Sequence, residues 1–137
     1  MSKYKAKKAS VDGIEFDSRK EANRYCELKL LQRAGKIQNL ELQKAIELIP
    51  AQREADTIGK RGRVIKGKVI EKAVFYRADF VYTENGETVV EDVKGYKGGG
   101  AYAVFTIKRK LLYYRYGIKI KEVYNESIKN NRILGFI

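Results

Sequence analysis

Histidine is absent from this 137-residue chain, and cysteine occurs once, at Cys26. A zinc site built from cysteine and histidine therefore cannot form, and an intrachain disulfide is excluded. General-base catalysis by histidine is excluded too, together with Ser-His-Asp triads and histidine-dependent nuclease motifs. Any catalysis must rely on carboxylates, lysine, tyrosine or a hard metal ion.

Long apolar runs are also missing. No stretch approaches the roughly 18 consecutive apolar residues of a membrane-spanning helix. The basic N-terminal segment leads into no apolar segment, so we expect no secretory signal. With the single cysteine, these features predict a cytoplasmic protein. Its 44% apolar and 34% charged residues are typical of one soluble globular domain.

Acidic residues are outnumbered by basic ones, 17 against 29, which gives a formal net charge of +12. Such a charge attracts polyanions, and nucleic acid is the commonest large polyanion in a cell. An anionic membrane surface is a weaker alternative, because no basic amphipathic helix of the interfacial type stands out. A basic surface without a specific partner is the remaining alternative. The charge therefore favours nucleic-acid binding.

The chain divides into a flexible basic arm over 1–10 and a single domain over 11–137. We predict a short, turn-containing extended piece over 11–16, then a helix over 19–34 that ends at Gly35. The predicted buried stripe of this helix consists of Ala22, Tyr25, Cys26, Leu30 and Leu31. A strand is expected over 37–49, before an exposed loop over 51–63. Two interpretations are open for the basic residues of that loop, contact with a phosphate backbone or solvation alone. These residues are Lys60, Arg61 and Arg63.

The second half predicts a long hairpin, a helix and a final strand. Strands over 74–82 and 87–94 flank Asn85-Gly86, a strong two-residue hairpin signal. A glycine-rich flexible loop over 95–100 leads to a helix over 104–116 and a strand over 118–124. A right-handed crossover makes that last strand parallel to 87–94. The expected fold is α/β with a mixed sheet.

The hairpin turn fixes which residues of the two strands are paired. With Asn85-Gly86 as the loop, Asp79 lies opposite Asp92, and alternation along both strands puts six residues on one face: Arg77, Asp79, Val81, Val90, Asp92 and Lys94. Opposed carboxylates repel one another, whereas a hard cation such as Mg²⁺ between them stabilises the pair. Lys94 is then placed to contact an attacking water or a phosphate oxygen. The alternative is a salt-bridged sheet face on which Arg77 and Lys94 neutralise the aspartates.

Two segments carry a resemblance to a known family. Arg77-Ala78-Asp79-Phe80 and Glu91-Asp92-Val93-Lys94-Gly95 resemble the PD-(D/E)xK nuclease signature, with alanine in place of the nominal proline. The helix that begins near Phe16-Asp17-Ser18 is similar to the N-terminal core helix of that fold. Residues 11–125 resemble a phage- and prophage-encoded family of small endonuclease-like proteins, with archaeal Holliday-junction resolvases as more distant relatives. The resemblance implies a restriction-endonuclease-like core in the order αβββαβ.

The resemblance also implies an activity and a set of site residues. It implies a Mg²⁺-dependent DNA endonuclease, with Mn²⁺ as an alternative metal, held by Asp79, Asp92, the Val93 carbonyl and Glu21. Gln43 in Glu41-Leu42-Gln43 is a further residue expected to face the site. Glu21 has a second explanation, since Ser18-Arg19-Lys20-Glu21 is a capping box. The favoured substrate is branched DNA such as a Holliday junction in phage recombination or replication, which calls for a homodimer in the host cytoplasm. A nuclease on ordinary duplex and a non-catalytic DNA-binding module are the alternatives.

Further basic residues complete the predicted DNA-contacting set. Lys97 lies in the glycine-rich loop, and Lys108 and Arg109 lie in the second helix. In related nucleases this helix often supplies another active-site residue, for which Lys108 is the candidate. The second helix also permits a plain structural interpretation, with Ile107, Leu111 and Tyr114 in the core and its lysines in solvent.

Overall fold

The computed structural model describes residues 8–94 and 99–124. Over these ranges the elements in chain order are β1 (Ala9–Val11), β2 (Ile14–Phe16), α1 (Arg19–Arg33), β3 (Gln38–Ile49), β4 (Gln52–Arg53), β5 (Thr57–Ile58), β6 (Val64–Ile65), β7 (Val69–Glu71), β8 (Val74–Glu84), β9 (Glu87–Lys94), α2 (Gly99–Tyr116) and β10 (Lys121–Tyr124). No helix in this part of the chain is long and apolar enough to cross a membrane.

A small hairpin precedes the first helix. Strands β1 and β2 pair antiparallel across a turn at Asp12 and Gly13, which both have positive φ, 53° and 75°. Aspartate and glycine tolerate this left-handed conformation better than other residues do. The expected extended piece with a turn is therefore confirmed. Strand β1 begins at Ala9, inside the segment predicted as a basic arm, whose residues 1–7 lie outside the described residues.

Helix α1 has the ends that its sequence predicts. The Ser18 side chain accepts a hydrogen bond from the Glu21 amide at 3.2 Å. At the other end the Gly35 and Lys36 amides donate to the Gln32 and Leu31 carbonyls, the Schellman arrangement, in which a glycine takes up the left-handed conformation.

The predicted buried stripe of α1 is wrong in part. Ala22 and Tyr25 are buried, but the third buried residue is Leu28, while Cys26 and Leu30 are exposed. The buried residues are three apart and therefore lie on one side of α1, and this side faces the sheet.

The central sheet has four strands in the order β10-β9-β8-β3. Strands β8 and β9 pair antiparallel from Glu84 with Glu87 to Phe80 with Glu91, which confirms the predicted hairpin register. Strand β10 is parallel to β9, as the crossover rule predicts, although it begins at Lys121 rather than at residue 118. The sheet is therefore mixed, and the α/β class is confirmed.

The two helices cover opposite faces of this sheet. The buried residues on the α1 side are Phe16, Ala22, Tyr25, Leu28, Ile37, Phe80 and Tyr82. Those on the α2 side are Leu48, Tyr76, Ala78, Val81, Val90, Phe105, Leu112 and Ile120. The result is a three-layer arrangement with one apolar core on each face of the sheet.

Helix α2 is longer than predicted, and a different side of it is buried. It begins at Gly99, five residues before the predicted start and inside the predicted flexible loop. Phe105 and Leu112 are buried, whereas Ile107 and Tyr114 are 60% and 89% exposed, so assigning these two residues to the core was wrong. Phe105 and Leu112 are seven residues apart, two turns of one helix side, and that side faces the sheet.

Residues 52–71 form a two-stranded extension, here called the ribbon, of which only the part up to residue 63 was predicted as an exposed loop. Strand β4 pairs with β7, and beyond them β5 pairs with β6. None of the residues 52–71 belongs to either core. The prediction of an exposed segment is confirmed, but the segment has regular structure.

Candidate functional site

The candidate site lies where the regular alternation of side chains between the two faces of the sheet is interrupted in both β3 and β8. In β3, Leu42 packs on the α1 side and Leu48 on the α2 side. In β8, Ala78 packs on the α2 side and Phe80 on the α1 side. Strict alternation would place each pair on a single face, so the predicted face shared by Arg77, Asp79 and Val81 is wrong.

Gln43 and Asp79 face each other at this change. The strand register is the same before and after them, since Leu42 pairs with Phe80 and Lys44 pairs with Ala78. Gln43 has a φ of 50°, a left-handed conformation that is uncommon for a residue with a Cβ atom and often marks functional sites. The irregularity brings two polar side chains together in the middle of these two strands.

The Asp79 carboxylate accepts two hydrogen bonds from the protein. The Gln43 side-chain amide donates to Asp79 Oδ1 at 3.2 Å, and the Val93 backbone amide donates to Asp79 Oδ2 at 2.8 Å. The Asp92 carboxyl lies within hydrogen-bonding reach. Burial and this neighbouring carboxyl raise the pKa of Asp79 to about 8, against the opposing effect of the Val93 amide. Asp79 therefore holds its proton far more tightly than an ordinary aspartate.

Asp92 is buried and forms an ion pair with Lys94. The Lys94 ammonium also lies 3.4 Å from the centre of the Phe105 ring, which fixes it against α2. This pairing corresponds to half of the salt-bridged alternative. The other half is wrong, because exposed Arg77 donates to the Gln43 carbonyl at 3.2 Å.

Glu21 reaches the same site from α1. Its backbone amide makes the cap bond to Ser18, but its half-buried carboxylate is close enough to Asp92 for their charges to repel. Burial, then Asp17 and then Asp92, raise the pKa of Glu21. The cap and the site position are therefore compatible, since one uses the backbone and the other the side chain.

Tyr76 is a site residue that the sequence pattern did not identify. It is buried beside Asp92, and among the described residues its hydroxyl has no hydrogen-bond partner of ordinary geometry. Burial, then the charges of Asp92 and Asp79, raise its pKa, so it remains a neutral hydroxyl. A neighbouring buried hydroxyl is a donor suited to a carboxylate. Alternation along β8 was the only available signal, and the change of face at Asp79 obscured it.

The predicted basic residues do not all gather at this site. Lys60, Arg61 and Arg63 lie at the turn between β5 and β6 in the ribbon. Arg109 pairs with Glu122 of β10 at 3.4 Å, so its charge is engaged within the fold. Lys108 is half-buried one turn after Phe105. Lys97 lies outside the described residues.

The donors at the site suit a hard cation. Within residues 8–94 and 99–124, no group of three acidic, cysteine or histidine side chains forms a complete metal-binding cluster. Mg²⁺, however, is commonly held by one or two carboxylates together with waters and substrate phosphates. The adjacent carboxyls of Asp79 and Asp92 meet that requirement, and burial together with the neighbouring Asp92 raises the pKa of Asp79.

Fold and site together define an α/β protein with a mixed sheet between two helices and, beside a lysine, a pair of adjacent carboxyls, one buried and one half-buried. Residues 1–131 match the model of the family described as "Protein of unknown function (DUF1064)", and the chain belongs to that family. No curated protein and no solved structure matches the chain.

Proposed function

We propose that the protein is a metal-dependent DNA endonuclease of the PD-(D/E)xK type that hydrolyses phosphodiester bonds, with branched DNA such as a Holliday junction as its favoured substrate. The observation that carries the proposal is the adjacent pair of carboxyls, half-buried Asp79 and buried Asp92, with Lys94 beside it. A sheet in the order β10-β9-β8-β3 between two helices supports a restriction-endonuclease-like core. The net charge of +12 supports DNA as the ligand.

Each residue of the site has a role in this proposal. Asp79 and Asp92 supply the carboxylate oxygens that hold Mg²⁺ or Mn²⁺, with the Val93 carbonyl and Glu21 as further ligands. The metal, when bound, polarises the phosphate and lowers the pKa of a water. The Gln43 amide fixes the orientation of the Asp79 carboxylate.

Lys94 supplies the positive charge in the proposed reaction. Its ammonium is held between Asp92 and the Phe105 ring, so its position is set before substrate binds. From there it orients the attacking water and offsets the negative charge that develops on the phosphate. Lys108, one turn along α2 from Phe105, is the further basic residue that the proposal places at the substrate side.

Junction cleavage requires cuts in two strands, and a homodimer supplies two such sites. Labelled four-way junction incubated with Mg²⁺ or with EDTA tests the activity. We expect paired cuts with Mg²⁺ and none with EDTA, and competition by linear duplex only at large excess. Equal competition by linear duplex would instead indicate a restriction- or repair-type nuclease.

One observation favours a second candidate, a non-catalytic DNA-binding module. Both Asp79 oxygens accept hydrogen bonds from the protein, and Asp92 is paired with Lys94, so the site is satisfied internally. Binding of the junction without cleavage in either Mg²⁺ or Mn²⁺ would support this module over the nuclease.

A further inference from the structure

The ribbon exposes an apolar pair at its far end. Ile58 of β5 and Val64 of β6 lie opposite each other and are 79% and 62% exposed. Opposed residues of a two-stranded ribbon point to the same face. Aliphatic side chains so exposed gain nothing from folding, and a lone two-stranded ribbon is only marginally stable in water. The pair is therefore suited to a partner outside the chain.

Hydrogen bonds rather than apolar packing hold the ribbon in shape. Asp56 accepts from the Gly67 amide at 2.9 Å, and the Arg53 guanidinium donates to the Gly67 carbonyl at 3.1 Å. Any Cβ atom at Gly67 would lie 1.8 Å from the Glu54 carbonyl oxygen, so only glycine permits this close approach. The Gly59 amide closes the end by donating to the Arg63 carbonyl at 2.7 Å. The far end thus has a defined conformation.

The charge around the apolar pair has one sign. Residues 57–68 contain five basic residues and no acidic one. Within the described part of the chain, none of the five forms an ion pair. Three of them, Lys60, Arg61 and Arg63, lie in the turn between Ile58 and Val64. An aliphatic pair surrounded by unpaired cations is complementary to a polyanion that also offers an apolar surface.

We propose that the far end of the ribbon enters a groove of DNA and presses Ile58 and Val64 against a base step, which it partly unstacks. Aliphatic wedges act in this way in architectural DNA-binding proteins, where phosphate contacts position the protein. Lys60, Arg61 and Arg63 make those phosphate contacts. The inference rests on DNA being the ligand in the proposed function. It also accounts for a preference for branched DNA, whose steps next to the branch unstack at a lower free-energy cost.

A second copy of the chain is the competing occupant of this surface. Two ribbons that met through Ile58 and Val64 would bring their five-residue basic clusters together. Like charges in close apposition oppose association, whereas phosphates remove the repulsion. Charge therefore favours DNA over self-association.

Fluorescence of 2-aminopurine placed at successive steps of a DNA duplex tests the proposal, because its emission rises when the base unstacks. Binding is measured in EDTA, so cleavage is not required. We expect wild-type protein to raise the emission at one step. The double variant Ile58→Thr, Val64→Thr keeps β-branched side chains but removes the apolar wedge. It should abolish the rise and weaken binding about tenfold, with an unchanged salt slope. Ile70→Thr, an exposed ribbon position away from the turn, is the matched control and should behave as wild type.

The outcomes separate this inference from the endonuclease proposal. Unstacking by wild type but not by the double variant supports the wedge, even if no cleavage occurs with metal. Cleavage with metal but equal emission from wild type and the double variant overturns the wedge and leaves the nuclease intact. Light scattering could instead give the double variant a lower molar mass than the wild type, with DNA binding unchanged. That result would overturn the wedge in favour of self-association.

Discussion

Arg24 of α1 and Glu91 of β9 form a bidentate ion pair that joins the helix carrying Glu21 to the strand carrying Asp92. The guanidinium donates to the two carboxylate oxygens at 2.8 and 2.7 Å, and the Tyr82 hydroxyl donates to the same carboxylate. Glu91 is fully buried. Since Arg24 follows Glu21 by three residues and Glu91 adjoins Asp92, this ion pair sets how the two halves of the candidate site approach each other.

Arg24→Met should lower the free energy of unfolding by about 3–5 kcal/mol, because it leaves the Glu91 charge buried without its main partner. The double variant Arg24→Met, Glu91→Met removes both charges and should recover most of that loss. Chemical denaturation of the wild type and of both variants measures the effect. Arg33→Met, an exposed arginine of the same helix, is the control and should change little. Additive losses in the double variant would contradict a charge-pair role.

The pairing of β8 with β9 was predictable from the sequence because a short turn determines it. Asn85 and Gly86 both adopt positive φ, 52° and 77°, as a two-residue hairpin turn requires. The pairing from Glu84 with Glu87 to Phe80 with Glu91 follows directly. Asp79 and Asp92 come next in this register and lie within hydrogen-bonding reach of each other. The ends of α1 were predictable for a similar reason, since Ser18 and Gly35 are local capping signals.

Contacts between residues distant in sequence were not predictable in this way. The β3–β8 pairing is set across the whole ribbon, so no turn fixes its register, and Gln43 opposite Asp79 follows only from the folded sheet. The left-handed conformation of Gln43 then changes the face of the residues around it, which defeats a prediction that assumes strict alternation. The buried side of α2 likewise depends on the sheet beneath it rather than on the apolar residues of its own sequence.

The stability of the metal-free protein should fall as the pH rises from about 4 to about 8. The pKa of Asp79 rises from 3.8 in the unfolded chain to about 8 in the fold, so between these values only the folded state keeps the proton. Releasing a proton on unfolding favours the unfolded state increasingly as the pH rises. Thermal unfolding in EDTA across this range measures the slope, and a flat profile would contradict the carboxyl pair.

Asp79→Asn removes the ionisable group while its side-chain oxygen still accepts from the Val93 amide. Its NH2 group then faces Gln43, whose side-chain amide can rotate to present its oxygen as acceptor. At pH 8 it should stabilise the metal-free protein by about 1–3 kcal/mol, at ~1.4 kcal/mol per pH unit reduced for partial solvent exposure. The same variant should abolish metal-dependent cleavage yet bind DNA at least as well as wild type. Glu87→Gln, an exposed carboxylate at the hairpin, is the control for lost negative charge. Retained cleavage by Asp79→Asn would show that the site is misassigned.

Glu21→Gln distinguishes a ligand from a helix cap. Glutamine leaves the backbone bond to Ser18 in place and removes the charge that repels Asp92. We expect cleavage to be lost and the melting temperature to stay the same or rise slightly. Ser18→Ala is the matched variant, since it removes the cap and should cost about 1 kcal/mol of stability while cleavage survives. Full activity of Glu21→Gln would show that Glu21 contributes only its backbone amide, which caps the helix.

Replacing Lys60, Arg61 and Arg63 together with alanine separates electrostatic binding from chemistry. These residues lie in the ribbon turn, which contributes nothing to either core, so the fold should be retained. Binding should weaken across DNA sequences, and the log–log salt dependence should flatten by about 0.9 for each phosphate that the variant no longer neutralises. Cleavage at saturating DNA should persist, because Asp79, Asp92 and Lys94 are untouched. An unchanged salt slope would show that the turn carries only solvated charge, and would move the DNA path towards Lys108 and the basic N-terminal segment.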